Sequence, residues 1–342
     1  MPPGQEPKKN YHTPHILRVG SVHSEEARYK AEVKCLQKRL EELGFKSGVV
    51  KQITEKIEVN DLEKTVKNLK YHPYSDRNFS TATTNTPGLY DNDEALAVWQ
   101  FQGLAMCQAS TGALPRLPSR CTSKIFGKIR YKAKQVDKTT VKILNATNSN
   151  PFWKWAQFQP QQCAPPHSTQ KCLWRKKWKQ PQVEWGTKAL VEVLQNAAKA
   201  LNQASASSTA NYRGIEIGDI SYPTGGSVTG HGSHERGIDV DINTRALCAD
   251  GTTQYGAIEY WQTAPCPYDQ AYMEVLLKAL AAQKYVDKLL FHDPAFLPGG
   301  ARYNNIPASD RKKITCSKYQ QHTPCPGNSH THHIHMRLKW EN

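Results

Sequence analysis

Residues 329–340 read SHTHHIHMRLKW, and within them imidazoles alternate with apolar side chains. Successive side chains of a β-strand point to opposite faces. On a strand, His333, His335 and Arg337 therefore share one face, and Ile334, Met336 and Leu338 share the other. A second run, GIDVDIN at 237–243, has the same grammar: Ile238, Val240 and Ile242 face one way, Asp239 and Asp241 the other. Each run buries one face and keeps a row of polar groups on the opposite one. A chain built on such strands needs a sheet with an apolar layer behind it.

The rest of the C-terminal half fits that demand. GTKALVEVLQNAAKALNQA and QAYMEVLLKALAAQ have helical spacing, while RGIEIGDIS and KLLFHD read as strands. The expected fold class is α+β, with an antiparallel sheet core and flanking helices over 186–342. The N-terminal part is helical in pattern. In YKAEVKCLQKRLEELGF, Val33, Leu36, Leu40 and Leu43 recur at helical intervals and Gly44 ends the pattern. A second stretch, DNDEALAVWQFQGLA, offers Ala95, Leu96, Trp99 and Phe101 as an apolar stripe, and SRCTSKIFGKI is a third, short helix candidate. The expected organisation is a tail at 1–25, a helical domain at 26–128, a basic, tryptophan-rich connector at 129–185 and the α+β domain at 186–342. The connector's tryptophans beside lysines either stack on a ligand's rings or pack on the next domain.

Composition limits the partners. The formal net charge is +15, which calls for an anionic partner: nucleic acid, a membrane surface or an acidic wall polymer. No apolar run is long enough for a membrane span, so membrane insertion is not expected. No helix-turn-helix, KH or RNP pattern accompanies the charge. The N-terminal stretch lacks the continuous apolar segment of a secretory signal, so delivery by another machine is expected. Nine cysteines occur without a C-x-x-C pair. Their spacing suggests disulfides 107–121, 163–172, 248–266 and 316–325, leaving Cys35 as the odd thiol, and such bonds belong to an oxidising compartment; the alternative is that all nine are reduced, small, buried residues.

Six of the thirteen histidines fall in two short segments, each beside an alternating strand. His231 and His234 precede the aspartate strand; His330, His332, His333 and His335 surround the last one. Two histidines and a carboxylate around one point are a usual zinc set, and three protein ligands leave a position open for water. The helical H-E-x-x-H motif is absent, so such a site must be built on sheet and loop. Asp239, on the face of Asp241, either orients a ligand imidazole or is an ordinary solvated or capping carboxylate.

The stretch GDISYPTGGSVTGHGSHERGIDVDI, with the terminal HTHHIHMRL, closely resembles the penicillin-insensitive murein endopeptidases, relatives of the lysostaphin-type and D-Ala-D-Ala zinc peptidases and of the hedgehog N-terminal domain. The resemblance implies Zn²⁺ held by His234, Asp241 and His335. It implies His333 as catalytic base, with His231 and His330 as further catalytic histidines whose roles are not separated. His332 and Asp239 have no metal role in the family pattern. VKCLQKRLEELGF, EALAVWQFQGLA and TGAL resemble the peptidoglycan-binding-domain-1 family, except for a long polar insertion at 47–90. Together these resemblances imply a zinc peptidase that cuts peptide cross-links of peptidoglycan, such as D-Ala–meso-diaminopimelate, and favour wall over nucleic acid as partner. They suit a phage endolysin released through a holin, or an antibacterial effector with an immunity protein, acting in a target's periplasm or wall. A catalytically inert wall-binding protein on the same scaffold is the alternative class.

Overall fold

The computed structural model describes residues 26–44, 97–98, 101–102, 120–123, 127–130, 136–146, 152, 154–162, 171–175, 183–206, 214–221, 228, 231, 233–234, 236–316 and 330–339. It divides into a first unit, mainly residues 1–155, and a second of residues 156–222 and 228–341.

In the first unit, α1 (Glu26–Glu42) buries Val33, Leu36, Leu40 and Leu43 on one face, as their spacing demands. Gly44 closes it with φ 87°, and a Cβ there would collide with the Trp155 carbonyl. Residues 97–98 and 101–102 are helical, with Ala97, Val98 and Phe101 buried; Ala95, Leu96 and Trp99 lie outside the described residues. The third helix candidate is not a helix. Residues 119–129 contribute β1 (Arg120–Ser123) and β2 (Gly127–Arg130), paired antiparallel with Cys121 opposite Ile129. β-Branched Thr122 and Ile129, with Gly127, weaken a helix here and suit a ladder. A helix not foreseen, α2 (Lys138–Ala146), follows. Asp137 caps it by accepting from the Thr140 N–H at 2.8 Å. Arg39 of α1 donates through Nε and Nη2 to the Leu144 carbonyl of α2 at 3.2 and 3.0 Å.

β3 (Trp155–Gln157) stands at the boundary between units. The second unit continues with β4 (Gln161–Gln162), β5 (Lys171–Arg175), β6 (Trp185–Thr187), α3 (Lys188–Ala206), β7 (Ile215–Ile217), β8 (Asp239–Leu247), β9 (Thr253–Gly256), α4 (Gln270–Ala281), β10 (Val286–Leu290), α5 (Ala308–Arg311), β11 (Ile314–Thr315) and β12 (His333–Leu338). The main sheet runs β11-β10-β12-β8-β7-β5-β4, with β9 also pairing β8. Its pairs are antiparallel except β10–β11 and β5–β7, so the sheet is mixed rather than purely antiparallel. β4 and β5 come from the tryptophan-rich stretch read as a connector, so part of that stretch is sheet. Leu173 of β5, fully buried, pairs with Ile215.

Helices α3 and α4 pack on each other, α3 also on β5 and β6, and α4 also on β8 and β10. Leu190, Leu194 and Leu201 of α3, Leu276 and Leu280 of α4, and Val240, Ile242, Ile334 and Met336 are all fully buried. Burying side chains of this size contributes roughly 1.5–3 kcal/mol each. Asp269 caps α4 at the Tyr272 N–H and pairs with buried Arg245 of β8, whose guanidinium lies 4.0 Å from the Tyr272 ring centre. Cys248 and Cys266 are bonded, as expected. Cys172 and Cys316 each also take part in a disulfide, and Cys35 is a free, exposed thiol. Cys107, Cys163 and Cys325 lie outside the described residues. No helix among the described residues is long and apolar enough to cross a membrane.

Candidate metal and catalytic site

The two alternating segments are neighbours in the sheet. β8 and β12 pair antiparallel, with His333 opposite Asn243, His335 opposite Asp241 and Arg337 opposite Asp239. Val240, Ile242, Ile334, Met336 and Leu338 are buried in the core, as strand periodicity requires. Ile238, one residue before β8, is only half-buried. The polar face collects the chemistry. His335 Nδ1 lies 3.0 Å from Asp241 Oδ1 across the ladder.

His234 reaches the same carboxylate from the glycine-containing loop before β8. Its Nε2 is 3.3 Å from Asp241 Oδ1 and 3.2 Å from His335 Nδ1. These three atoms form a nearly equilateral triangle. Donors bonded to one tetrahedral zinc at about 2.0–2.2 Å would stand roughly 3.3–3.6 Å apart. The triangle therefore needs little expansion to accept such an ion. The remaining nitrogens are already engaged. His234 Nδ1 meets the Ile220 carbonyl at 2.9 Å, and His335 Nε2 meets Asp239 Oδ1 at 3.0 Å. A carbonyl or carboxylate behind each imidazole fixes the tautomer that leaves the other nitrogen free to ligate. Asp239 is itself held by Arg337 Nε at 2.6 Å.

His231 stands on the other side of Asp241. Its Nδ1 is 3.3 Å from Asp241 Oδ2, and its Nε2 is 3.3 Å from Asp219 Oδ2. His231, His234 and Asp241 form a three-residue group able to hold a metal ion, with one ligand atom from each lying within 4.8 Å of the others. His333 flanks the triangle, its Nε2 3.8 Å from Asp241 Oδ1. The His330 ring centre is 5.0 Å from that of His333 and 5.6 Å from that of His335. His330 takes φ 66°, its carbonyl accepts from the His292 N–H, and its buried Nδ1 makes no hydrogen bond. The structure thus brings His231, His234, Asp241, His330, His333 and His335 into one cluster. His332 turns away toward Glu259, at 3.6 Å.

The electrostatics follow from these contacts. Burial works against a charged His335, but Asp239 and Asp241 outweigh it and raise its pKa to about 9. Burial also disfavours ionised Asp241; hydrogen bonds from His234 and His335 overcome this and hold it well below the usual carboxylate range. The Asp219 hydrogen bond raises His231. Burial lowers both His330 and His333 to about 4, which keeps them neutral at physiological pH.

Asp219 and Arg175 were not singled out in the sequence. Asp219 ends the IEIGD run after β7, and Arg175 lies in a lysine-rich stretch. Nothing in their spacing ties either to a histidine.

A mixed sheet that gathers imidazoles and a carboxylate at one polar patch defines a protein in which a His-His-Asp group could hold a metal ion. Residues 165–265 match the family model of penicillin-insensitive murein endopeptidase, which supports that family for this stretch of the chain. The match contains His231, His234 and Asp241 and ends before β12. It supports peptidoglycan hydrolysis as the chemistry of the second unit. No curated protein matches the chain.

Proposed function

We propose that the protein is a zinc-dependent endopeptidase that hydrolyses peptide cross-links of peptidoglycan. The observation that carries this reading is the donor triangle of His234 Nε2, Asp241 Oδ1 and His335 Nδ1, with edges of 3.0–3.3 Å. These three residues would hold the ion. When bound, zinc supplies an acidified water and a Lewis acid for the scissile carbonyl. His231 also stands within ligating reach of Asp241, but it faces the Oδ2 atom, outside the triangle.

The chain's own groups then divide the proton work. His333, neutral and beside the triangle, accepts the proton of the attacking water. The C–O bond forms first, as the carbonyl π electrons move onto oxygen, and the C–N bond then breaks as the departing amine takes up the proton that His333 accepted. His330 flanks this space and would donate a hydrogen bond to the developing oxyanion or that amine. His231, whose two ring nitrogens face Asp241 Oδ2 and Asp219 Oδ2, would act by orienting Asp241 beside the ion, or by releasing one of these contacts to the substrate.

Bonds of the D-Ala–meso-diaminopimelate type are the proposed substrates. The N-terminal helical unit is proposed to bind the wall, where the chain's charge of +15 suits an acidic polymer. Its disulfides suit work in a periplasm or outer wall, as an endolysin or as an injected effector with an immunity protein. The test is digestion of purified sacculi by the zinc-loaded protein, with products identified by mass spectrometry. Release of uncross-linked monomers with intact glycan is expected. Full zinc occupancy without hydrolysis would replace this reading with an inert wall-binding protein.

A further inference from the structure

His231 lies outside the named strands, and its N–H is bonded to the Val228 carbonyl at 3.0 Å, so no ladder aims its side chain. Two carboxylates aim it instead. In the proposed site Asp241 has its Oδ1 in the donor triangle, leaving Oδ2 for His231 Nδ1. The second carboxylate, Asp219, is not part of the triangle. Its Oδ2 lies 3.3 Å from His231 Nε2.

Asp219 is in turn fixed from two directions. Its Oδ1 pairs with Arg175 Nη2 of β5 at 3.2 Å, and Arg175 Nη1 pairs with Glu184 Oε2 at 3.1 Å. Gln157 Nε2 donates to the other Glu184 oxygen at 2.7 Å. The main chain of Asp219 is also tied to β8, because its carbonyl accepts the Asp241 N–H at 3.1 Å. A carboxylate, a guanidinium, a carboxylate and an imidazole follow in a row: Glu184, Arg175, Asp219, then His231. The Arg175 and Asp219 side chains are only 12% and 11% exposed, so water screens their pairing weakly.

We infer that Asp219, braced by Arg175, is the positioning residue that holds His231 at the edge of the donor triangle. A loop residue thereby acquires the orientation of a sheet residue. The inference rests on the proposed peptidase reading for its catalytic meaning, though not for its geometry. It also gives the β5 segment a task at the site: that strand carries the cation that keeps Asp219 in place.

Two readouts on the full-length protein test it. The first is turnover of a soluble cross-linked muropeptide by zinc-loaded Asp219→Ala. Its kcat is expected to fall about 10- to 100-fold, with KM and zinc content unchanged. Asp219→Asn, whose amide oxygen still accepts from Nε2, should recover part of the loss, and Arg175→Gln should show a smaller loss of the same kind. The second needs no activity: the side-chain ¹H–¹⁵N signal of His231 Nε2–H in the zinc-loaded protein, assigned by its disappearance in His231→Gln. It should be present in the wild type and lost or exchange-broadened in Asp219→Ala. A signal and a kcat both indifferent to Asp219→Ala overturn the inference. A signal that depends on Asp219 in a protein that hydrolyses nothing upholds the positioning and overturns the peptidase reading.

Discussion

His335 and Asp241 stand on adjacent strands; His231 and His330 stand on loops, and the two pairs are held in place by different means. The strand pair is cross-strand neighbours in a regular ladder, so backbone hydrogen bonds and the buried row of Val240, Ile242, Ile334 and Met336 aim both side chains at once. The loop pair has no such ladder. His231 leans on Asp219 and Asp241, and His330 takes a left-handed backbone conformation beside His292. His234 lies between these cases, a loop residue tied by its Nδ1 to the Ile220 carbonyl. Two of the proposed ligands, His335 and Asp241, stand where a backbone ladder aims them, and the third, His234, is aimed by a carbonyl. Groups that must meet a substrate are proposed where side-chain contacts can adjust them.

The contrast can be broken most severely at Asp241. Asp241→Ala removes the oxygen shared by His234 and His335, and the purified variant should retain no zinc by metal analysis and hydrolyse no muropeptide. Normal zinc content would mean that the strand pair is not the anchor. Next in size is His333→Ala, which should keep its zinc and lose about 10²- to 10⁴-fold in kcat, the usual contribution of a positioned base. Loss of zinc in that variant would move His333 into the ligand set.

Asp239→Ala sharpens the comparison within the strand pair. It removes the carboxylate behind His335 Nε2 and should weaken zinc affinity about 10- to 100-fold in a chelator competition. The same experiment has a pH arm. His335 must lose a proton to ligate, and in the metal-free protein its pKa is raised to about 9. Apparent affinity of the wild type should therefore climb with pH up to that value and level beyond it. In Asp239→Ala the plateau should begin at lower pH, because one of the two carboxylates that favour the imidazolium is gone. The smallest effect on the site belongs to the opposite face. Met336→Ala should cost about 2–5 kcal/mol in denaturant unfolding yet leave zinc stoichiometry at one per chain. A lost ion there would show that core packing, and not the ladder alone, sets the donor spacing.

Much of the second unit was legible in sequence. The alternation in HIHMRL and IDVDI depends only on local backbone geometry, so it can be read without knowing the fold. The stripe of Val33, Leu36, Leu40 and Leu43 was legible for the same reason. The paired strands β1 and β2 differ from the helix expected there because a short mixed run with Ile125, Phe126 and Ile129 satisfies either period. β5 was hidden because lysines and prolines around it suggest a linker, and its strand character comes from pairing with β7, some forty positions later in the chain.

By itself, then, the sequence settled which side chains share a face and which donor chemistries lie within each segment. Both follow from the two-residue period of an extended backbone. Only the tertiary structure decided that His335 stands opposite Asp241, that one Asp241 oxygen meets His234 and His335 while the other meets His231, and that Asp219 stands behind His231. Those facts depend on strand register and on loops returning from distant parts of the chain. Register is set by packing the whole apolar layer at once, which no local pattern contains.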